Sequence, residues 1–218
     1  MCSAFSKQSH ISIDLSRSVR SRLLNELLSL TAEERGRIWH TNSSTRTSHY
    51  LAKMLPALAE ACDASWTQRE LHRFDATFGT EFVDPLTSAK LRIPKLILES
   101  ENVVDSAHHE LERLCWTFAP LRILVTVAEW SPAQFPHTAS RTRLRERWDS
   151  YIRGFDNSLR LWNHHRNGVL AILVGECGAD EILRFYSYEF REFSATFFPG
   201  PDHEEVFEVG PTPKPRDG

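Results

Sequence analysis

Apolar positions recur at helical spacing through the first third of the chain and alternate between strand and helical spacing beyond it. Val19, Leu23, Leu24, Leu27 and Leu28 form one helical stripe, behind a Ser-rich polar stretch over 1–17 that reads as a loose arm. Thr31 with Glu33 and Glu34 has the form of an N-cap followed by acidic first-turn residues, opening a short helix toward Trp39. After a polar linker over 40–46, Leu51, Met54, Leu55, Leu58 and Cys62 line a third helix. Runs 71–78 and 91–101 then read as strands. Val104, Ala107, Leu111, Leu114, Cys115 and Phe118 mark an amphipathic helix that Pro120 closes. Residues 121–128 are almost continuously apolar, as suits an interior strand covered on both faces. Strand, helix and strand across 91–128 imply a right-handed parallel crossover. Leu144, Trp148, Tyr151 and Phe155 space another helix over 141–155, and 168–176 with 181–190 form a hairpin. The acidic, proline-rich stretch 199–218 reads as a flexible tail. The expected division is an arm with N-terminal helices over 1–46, an α/β domain over 47–198, and that tail.

Composition narrows the classes. With 218 residues, 41% hydrophobic and 25% charged, the chain is long enough for one domain with a sizeable core. A formal net charge of −3 argues against holding nucleic acid by bulk charge, though not against a local basic groove. Cys2, Cys62, Cys115 and Cys177 are too scattered for a CxxC site or a disulfide framework, so they read as reduced, core-filling thiols. No signal-like h-region or membrane-length apolar run is present, and a cytoplasmic protein with no membrane partner is expected.

The chemistry concentrates where the strand 91–101 ends. Residues i and i+2 of a strand share a face, so Glu99 and Glu101 project together from a run, Leu96-Ile97-Leu98, that reads as buried. Close carboxylates repel, and burial sharpens the repulsion, so a divalent cation is the economical compensation. Asp75 supplies a third carboxylate from the preceding strand-like run. Lysines are few: only Lys7, Lys53, Lys90, Lys95 and Lys214 occur. Lys95 shares the strand face of Glu99 but lies ~13 Å away along the strand.

Helix, strand with Asp75, strand ending in Glu99-Ser100-Glu101-Asn102, helix, buried strand: over about Thr47 to Glu129 this order resembles the PD-(D/E)XK nuclease superfamily, the restriction-endonuclease-like fold. The segment from Pro94 to Asn102 also resembles bacterial members with a Glu-x-Glu-Asn signature. The resemblance implies a three-layer α/β/α core with a mixed central sheet. It implies Mg²⁺, or Mn²⁺, at a site of Asp75, Glu99 and Glu101, with Asp75 and Glu99 as ligands. Glu101 stands where most members carry lysine; it would accept the proton of the attacking water or help hold a second cation. Nucleic acid, DNA before RNA, is the implied substrate, and a homodimer follows by analogy with enzymes that cut both strands. The competing expectation is a nuclease fold that has lost catalysis and serves as a binding or interaction module.

Other signals read as structural. Glu60 lies opposite the apolar stripe of its helix and should face water, whereas Glu110 flanks the stripe of its own helix and stays a candidate auxiliary acid. His108-His109 and His164-His165 are adjacent pairs, which is not a chelating spacing on a helix. The arginines of 141–160 spread around their helix rather than lining one face. Asn102 reads best as the N-cap of the following helix.

Overall fold

Alternate residues of the sheet face two separate apolar cores, and that alternation organises the chain. The computed structural model describes residues 2–40, 43–101, 104, 106–128, 145–150, 152–154, 168–178, 180–191 and 201–214, the side chains of 2–10, 43, 44, 47 and 128 excepted. Helices α1 (Cys2–Leu28), α2 (Ala32–His40), α3 (Ser43–His49) and α4 (Leu55–Ala61) come first, and a π-helical turn, Tyr50–Met54, joins α3 to α4. Strands β1 (Trp66–Arg69), β2 (Ala76–Val83), β3 (Lys90–Glu101), β4 (Leu121–Ala128), β5 (Val169–Cys177), β6 (Ile182–Phe190) and β7 (His203–Pro211) follow, with helix α5 (His108–Cys115) between β3 and β4. The seven strands form one mixed sheet in sequence order. β3, β4 and β5 are parallel, and antiparallel strands flank them on both sides.

One core joins Ala76, Phe78, Leu96, Leu98, Leu121 and Ile123 of the sheet to Val19, Leu23 and Leu24 of α1 and to Leu55 and Leu58 of α4. The other joins Ile97, Leu124, Leu170 and Ile172 to Leu111, Leu114 and Cys115 of α5, and to Trp148 and Ile152 of the helical residues 145–150 and 152–154. Trp148 stacks edge-on against Tyr188, ring centroids 5.8 Å apart. Both faces of the central strands are thus covered, which is why they read as continuous apolar runs. Cys62 and Cys115 are buried and stand outside any disulfide among the described residues. No helix among the described residues is long and apolar enough to cross a membrane.

Five expectations need correction. The stretch 40–46, read as a polar linker, is helical at both ends, with α2 closing at His40 and α3 opening at Ser43. The stretch 2–17 is helical and continues into α1. Ser12 and Ser16 are buried on its inner face and Ile13 and Leu15 pack partly buried against the core, so small polar groups break up the apolar pattern that would announce it. Residues 203–211 are not tail but β7, paired along β6. An outer strand tolerates charge and proline, and β7 carries both. Beyond it the chain threads back over α2: His40 Nε2 lies 2.8 Å from the carbonyl oxygen of Thr212, and a Cβ at Gly36 would clash with the carbonyl oxygen of Pro213. The strand expected over 71–78 starts only at Ala76, after a turn, and the helix expected to reach Phe118 ends at Cys115. The short strand β1 was not expected at all. By contrast β4, the β5–β6 hairpin and the parallel β3–β4 pair fall where the pattern puts them. So does the capping box of α2, where Glu34 Oε2 accepts from the Thr31 amide at 2.8 Å and Thr31 Oγ1 accepts from the Glu34 amide at 3.2 Å. The expected Asn102 cap, the pair His164-His165 and the residues Tyr151 and Phe155 lie outside the described residues.

Candidate functional site

Strands β3 and β4 run parallel and end together, with Glu99 opposite Leu124 and Glu101 opposite Thr126. Strand β2 is antiparallel to β3 and starts with Ala76 opposite Leu98, so the turn before it delivers Asp75 to the carboxyl end of β3. That turn is forced. Glu70, His72 and Arg73 all have left-handed φ, at 54°, 53° and 70°, in a stretch without glycine. Such conformations are costly for L-residues and gather where a fold must hold a group in place. The group held is Asp75. Its Oδ2 accepts the Ser100 amide at 2.6 Å, and its own amide donates to Glu99 Oε2 at 3.2 Å.

Glu99 is fully buried. The Arg113 guanidinium from α5 lies 2.7 Å from its Oε1, but off the hydrogen-bonding axis, so that oxygen has a charge beside it and no aligned donor. Arg113 is shared: its Nη1 donates to the Arg73 carbonyl at 3.0 Å, and Nη2 lies 3.5 Å from Glu110 Oε1. Burial therefore dominates and pushes the Glu99 carboxyl up to about 7, against the pull of Arg113 and with the help of repulsion from Asp75. Asp75 is raised too, by burial first, although the Ser100 amide and Arg113 oppose it and Glu110 and Glu101 add repulsion. The cluster holds more negative charge than its surroundings neutralise.

Beside it opens a cleft of about 310 Å³. Asp75, Glu101 and Glu70 stand on its acidic side, and Arg46, Tyr50 and Arg69 supply donors. Glu99 is not among the lining residues; it sits behind Asp75. Tyr50 opens the π-helical turn, whose Leu55 amide bonds the Tyr50 carbonyl five residues back. Pro56, in the first turn of α4, has no amide hydrogen to continue a regular ladder. The π turn resolves that break and carries Tyr50 to the strand ends; such turns recur at functional sites.

The structure thus brings Asp75, Glu99 and Glu101 to one strand end but not into one chelating group. Hard carboxylate oxygens suit Mg²⁺, and Glu99 Oε1 and Glu110 Oε2 are buried oxygens without a hydrogen-bond donor. Yet among the described residues no three His, Cys, Asp or Glu side chains are arranged to hold a metal ion. Asp75 and Glu101 are the pair that face the cleft. Two of the lysines are spent elsewhere. Lys95 falls at the bulge between β2 and β3 and donates to the carbonyls of Cys62 and Asp63 at 3.1 and 2.6 Å, while Lys90 pairs with Glu81. Glu60 faces solvent and pairs with Arg22, as expected, and Glu110 joins the cluster through Arg113. His108 and His109 stack on each other, centroids 3.9 Å apart. Sequence reasoning missed Arg113, Tyr50, Arg46 and Arg69. Arg113 had a signal, one helical turn beyond Glu110 on the flank of the α5 stripe, but a search for lysine passes over it.

No protein-family model and no curated protein matches this chain.

Proposed function

We propose that the protein hydrolyses phosphodiester bonds of nucleic acid, DNA in the first instance, with Mg²⁺ or Mn²⁺ at the end of β3, on a restriction-endonuclease-like core of the PD-(D/E)XK type. The observation that carries this reading is the uncompensated negative charge: Asp75 lines the cleft with Glu101, the buried Glu99 stands behind it, and the carboxyl groups of Asp75 and Glu99 are both raised by burial. The order helix, strand, strand, helix, parallel strand through α4, β2, β3, α5 and β4 supports it as well. Asp75 and Glu101 would hold the cation, with Glu99 behind them setting the charge of the pair. A bound divalent cation supplies neutralisation of phosphoryl charge and a water of lowered pKa. Glu101 would either take that water's proton or help hold a second cation, since no lysine is among the described residues that line the cleft. The expected result is Mg²⁺- or Mn²⁺-dependent cleavage of DNA, reduced by about 10²-fold or more in Asp75→Ala, Glu99→Ala and Glu101→Gln. Undiminished cleavage by Asp75→Ala and Glu99→Ala would overturn the assignment.

One observation favours a second reading. Arg113 already places a fixed positive charge 2.7 Å from Glu99, which is how a nuclease fold retired from catalysis and kept as a binding module would neutralise its old site. Calorimetry separates the two. Failure to bind Mg²⁺ or Mn²⁺, together with no cleavage, selects the binding module.

A further inference from the structure

The donor side of the cleft carries hydrogen-bond donors that the protein leaves unused. The Tyr50 hydroxyl is shielded from solvent and has no hydrogen-bond partner among the described residues, and the same holds for Nε of Arg46. Arg69, at the end of β1, is exposed, and its guanidinium has no hydrogen bond or ion pair among the described residues. A buried O–H without an acceptor is expensive, so a fold that keeps one at a cleft wall has an acceptor to offer it from outside. An anionic acceptor suits that hydroxyl, because Arg46 and Arg69 line the same cleft.

We propose that Tyr50 and Arg69 bind a phosphoryl group in this cleft, the phenol donating its O–H to a non-bridging oxygen and the guanidinium supplying the opposing charge. The inference rests on reading the cleft as a phosphodiester site, and deepens it by naming what holds the phosphate against Asp75 and Glu101. The environment keeps the phenol fit for the task. Burial, with the charges of Asp75 and Glu99, holds its pKa far above the ordinary tyrosine value, so it remains a donor at every physiological pH. Its position is also fixed, because the π turn and the Pro56 break set the helix phase at Tyr50. A cleft of about 310 Å³ lies at the small end for ligand pockets, and suits one phosphate with an adjoining nucleoside rather than a length of duplex.

Binding of the dinucleotide thymidylyl-thymidine, titrated by calorimetry in calcium-containing buffer, tests this without requiring cleavage. Tyr50→Phe, which removes one oxygen, is expected to weaken binding about tenfold or more, as loss of a hydrogen bond to a charged group does. Arg69→Gln is expected to do the same. The Tyr50→Phe protein should be as stable as the parent or more so, since the lost hydroxyl had no internal partner. Wild-type protein that does not bind the dinucleotide, or Tyr50→Phe that binds it as well as wild type, overturns the proposal. So does Tyr50→Phe melting well below the parent, for that would reveal an internal acceptor. Weakened binding in both variants alongside no hydrolysis with any divalent metal leaves this inference standing and counts against the nuclease reading alone.

Discussion

Glu99 on β3 and Glu189 on β6 are both wholly buried, yet the first carboxyl is pushed up to about 7 while the second ends below its ordinary range. Burial raises both. At Glu189 it is outweighed: Ser16 Oγ donates at 2.7 Å, Arg191 gives Nε and Nη2 at 3.1 and 2.8 Å, and Arg20 Nη2 lies 2.7 Å from Oε1. Arg20 is itself secured by Ser187 at 2.9 Å, beneath the ring of Phe207. At Glu99 there is one misaligned guanidinium, one long amide bond, and two repelling carboxylates, Asp75 and Glu110. A buried acid with all its donors holds α1 to the sheet. A buried acid short of donors marks a place that a cation from outside could complete.

The sharpest way to break the comparison is to remove a donor from the satisfied side. Arg20→Met leaves Glu189 with Arg191 and Ser16 but strips its deepest charge, and should cost about 3–5 kcal/mol in urea unfolding, as breaking a buried pair does. Arg20→Met with Glu189→Leu should recover much of that loss, because two apolar groups replace the pair. A cost under about 1 kcal/mol for Arg20→Met would mean the α1–β6 network is ornament, and the contrast with Glu99 would lose its basis.

Next in size is the pH dependence, where the two glutamates pull in opposite directions. Glu99 has a folded pKa near 7 against an ordinary 4.5, so between those values the folded state binds more protons than the unfolded chain. Its contribution to stability is therefore greatest below pH 4.5, falls as pH rises, and levels off above about 7, a loss of about 3 kcal/mol at 1.36 kcal/mol per unit. Glu99→Gln should remove the slope, leaving the variant more stable than wild type at pH 8 and about equal at pH 4. Glu189 is depressed, so its contribution is present above its ordinary pKa and lost as pH falls through the lower folded value. Glu189→Gln should be hurt most at neutral pH. Denaturation curves across pH 4–8 that run parallel for wild type and Glu99→Gln would show that Arg113 compensates Glu99 after all.

How much of this was legible in the sequence depends on what each residue had to signal. Strands β4 and β5 announce themselves because both faces are buried and every position is apolar. Glu99 and Glu101 were legible from the same logic, as charges ending an apolar strand. Asp75 was found for an incomplete reason: the run 71–78 looks extended, but Glu70, His72 and Arg73 turn left-handed, and local composition does not report φ. The helix over 2–17 was illegible because the buried Ser12 and Ser16 interrupt the apolar contacts of Ile13 and Leu15, and Ser16 is buried against Glu189, 173 residues away. Tyr50 was invisible for a related reason. It lies beside the Leu51–Leu58 stripe, and only the π turn, set by Pro56, rotates it to the strand ends.

The smallest predicted effect asks whether the strained turn serves the unsatisfied side. Six described non-glycine residues have positive φ, and Glu70, His72 and Arg73 sit just ahead of Asp75, whereas Glu181, φ 59°, opens the ordinary hairpin between β5 and β6. Glycine relieves about 1–2 kcal/mol at such a position, and returns about 0.5–1 kcal/mol through its freer unfolded chain. His72→Gly and Glu181→Gly should therefore each stabilise the protein by up to about 1 kcal/mol. Only His72→Gly should also loosen Asp75, and lower the affinity for Mg²⁺ severalfold in calorimetry. Equal stabilisation with unchanged Mg²⁺ affinity in both would mean that the turn before Asp75 is merely tolerated, and that the strain at the end of β3 is not there for the carboxylates.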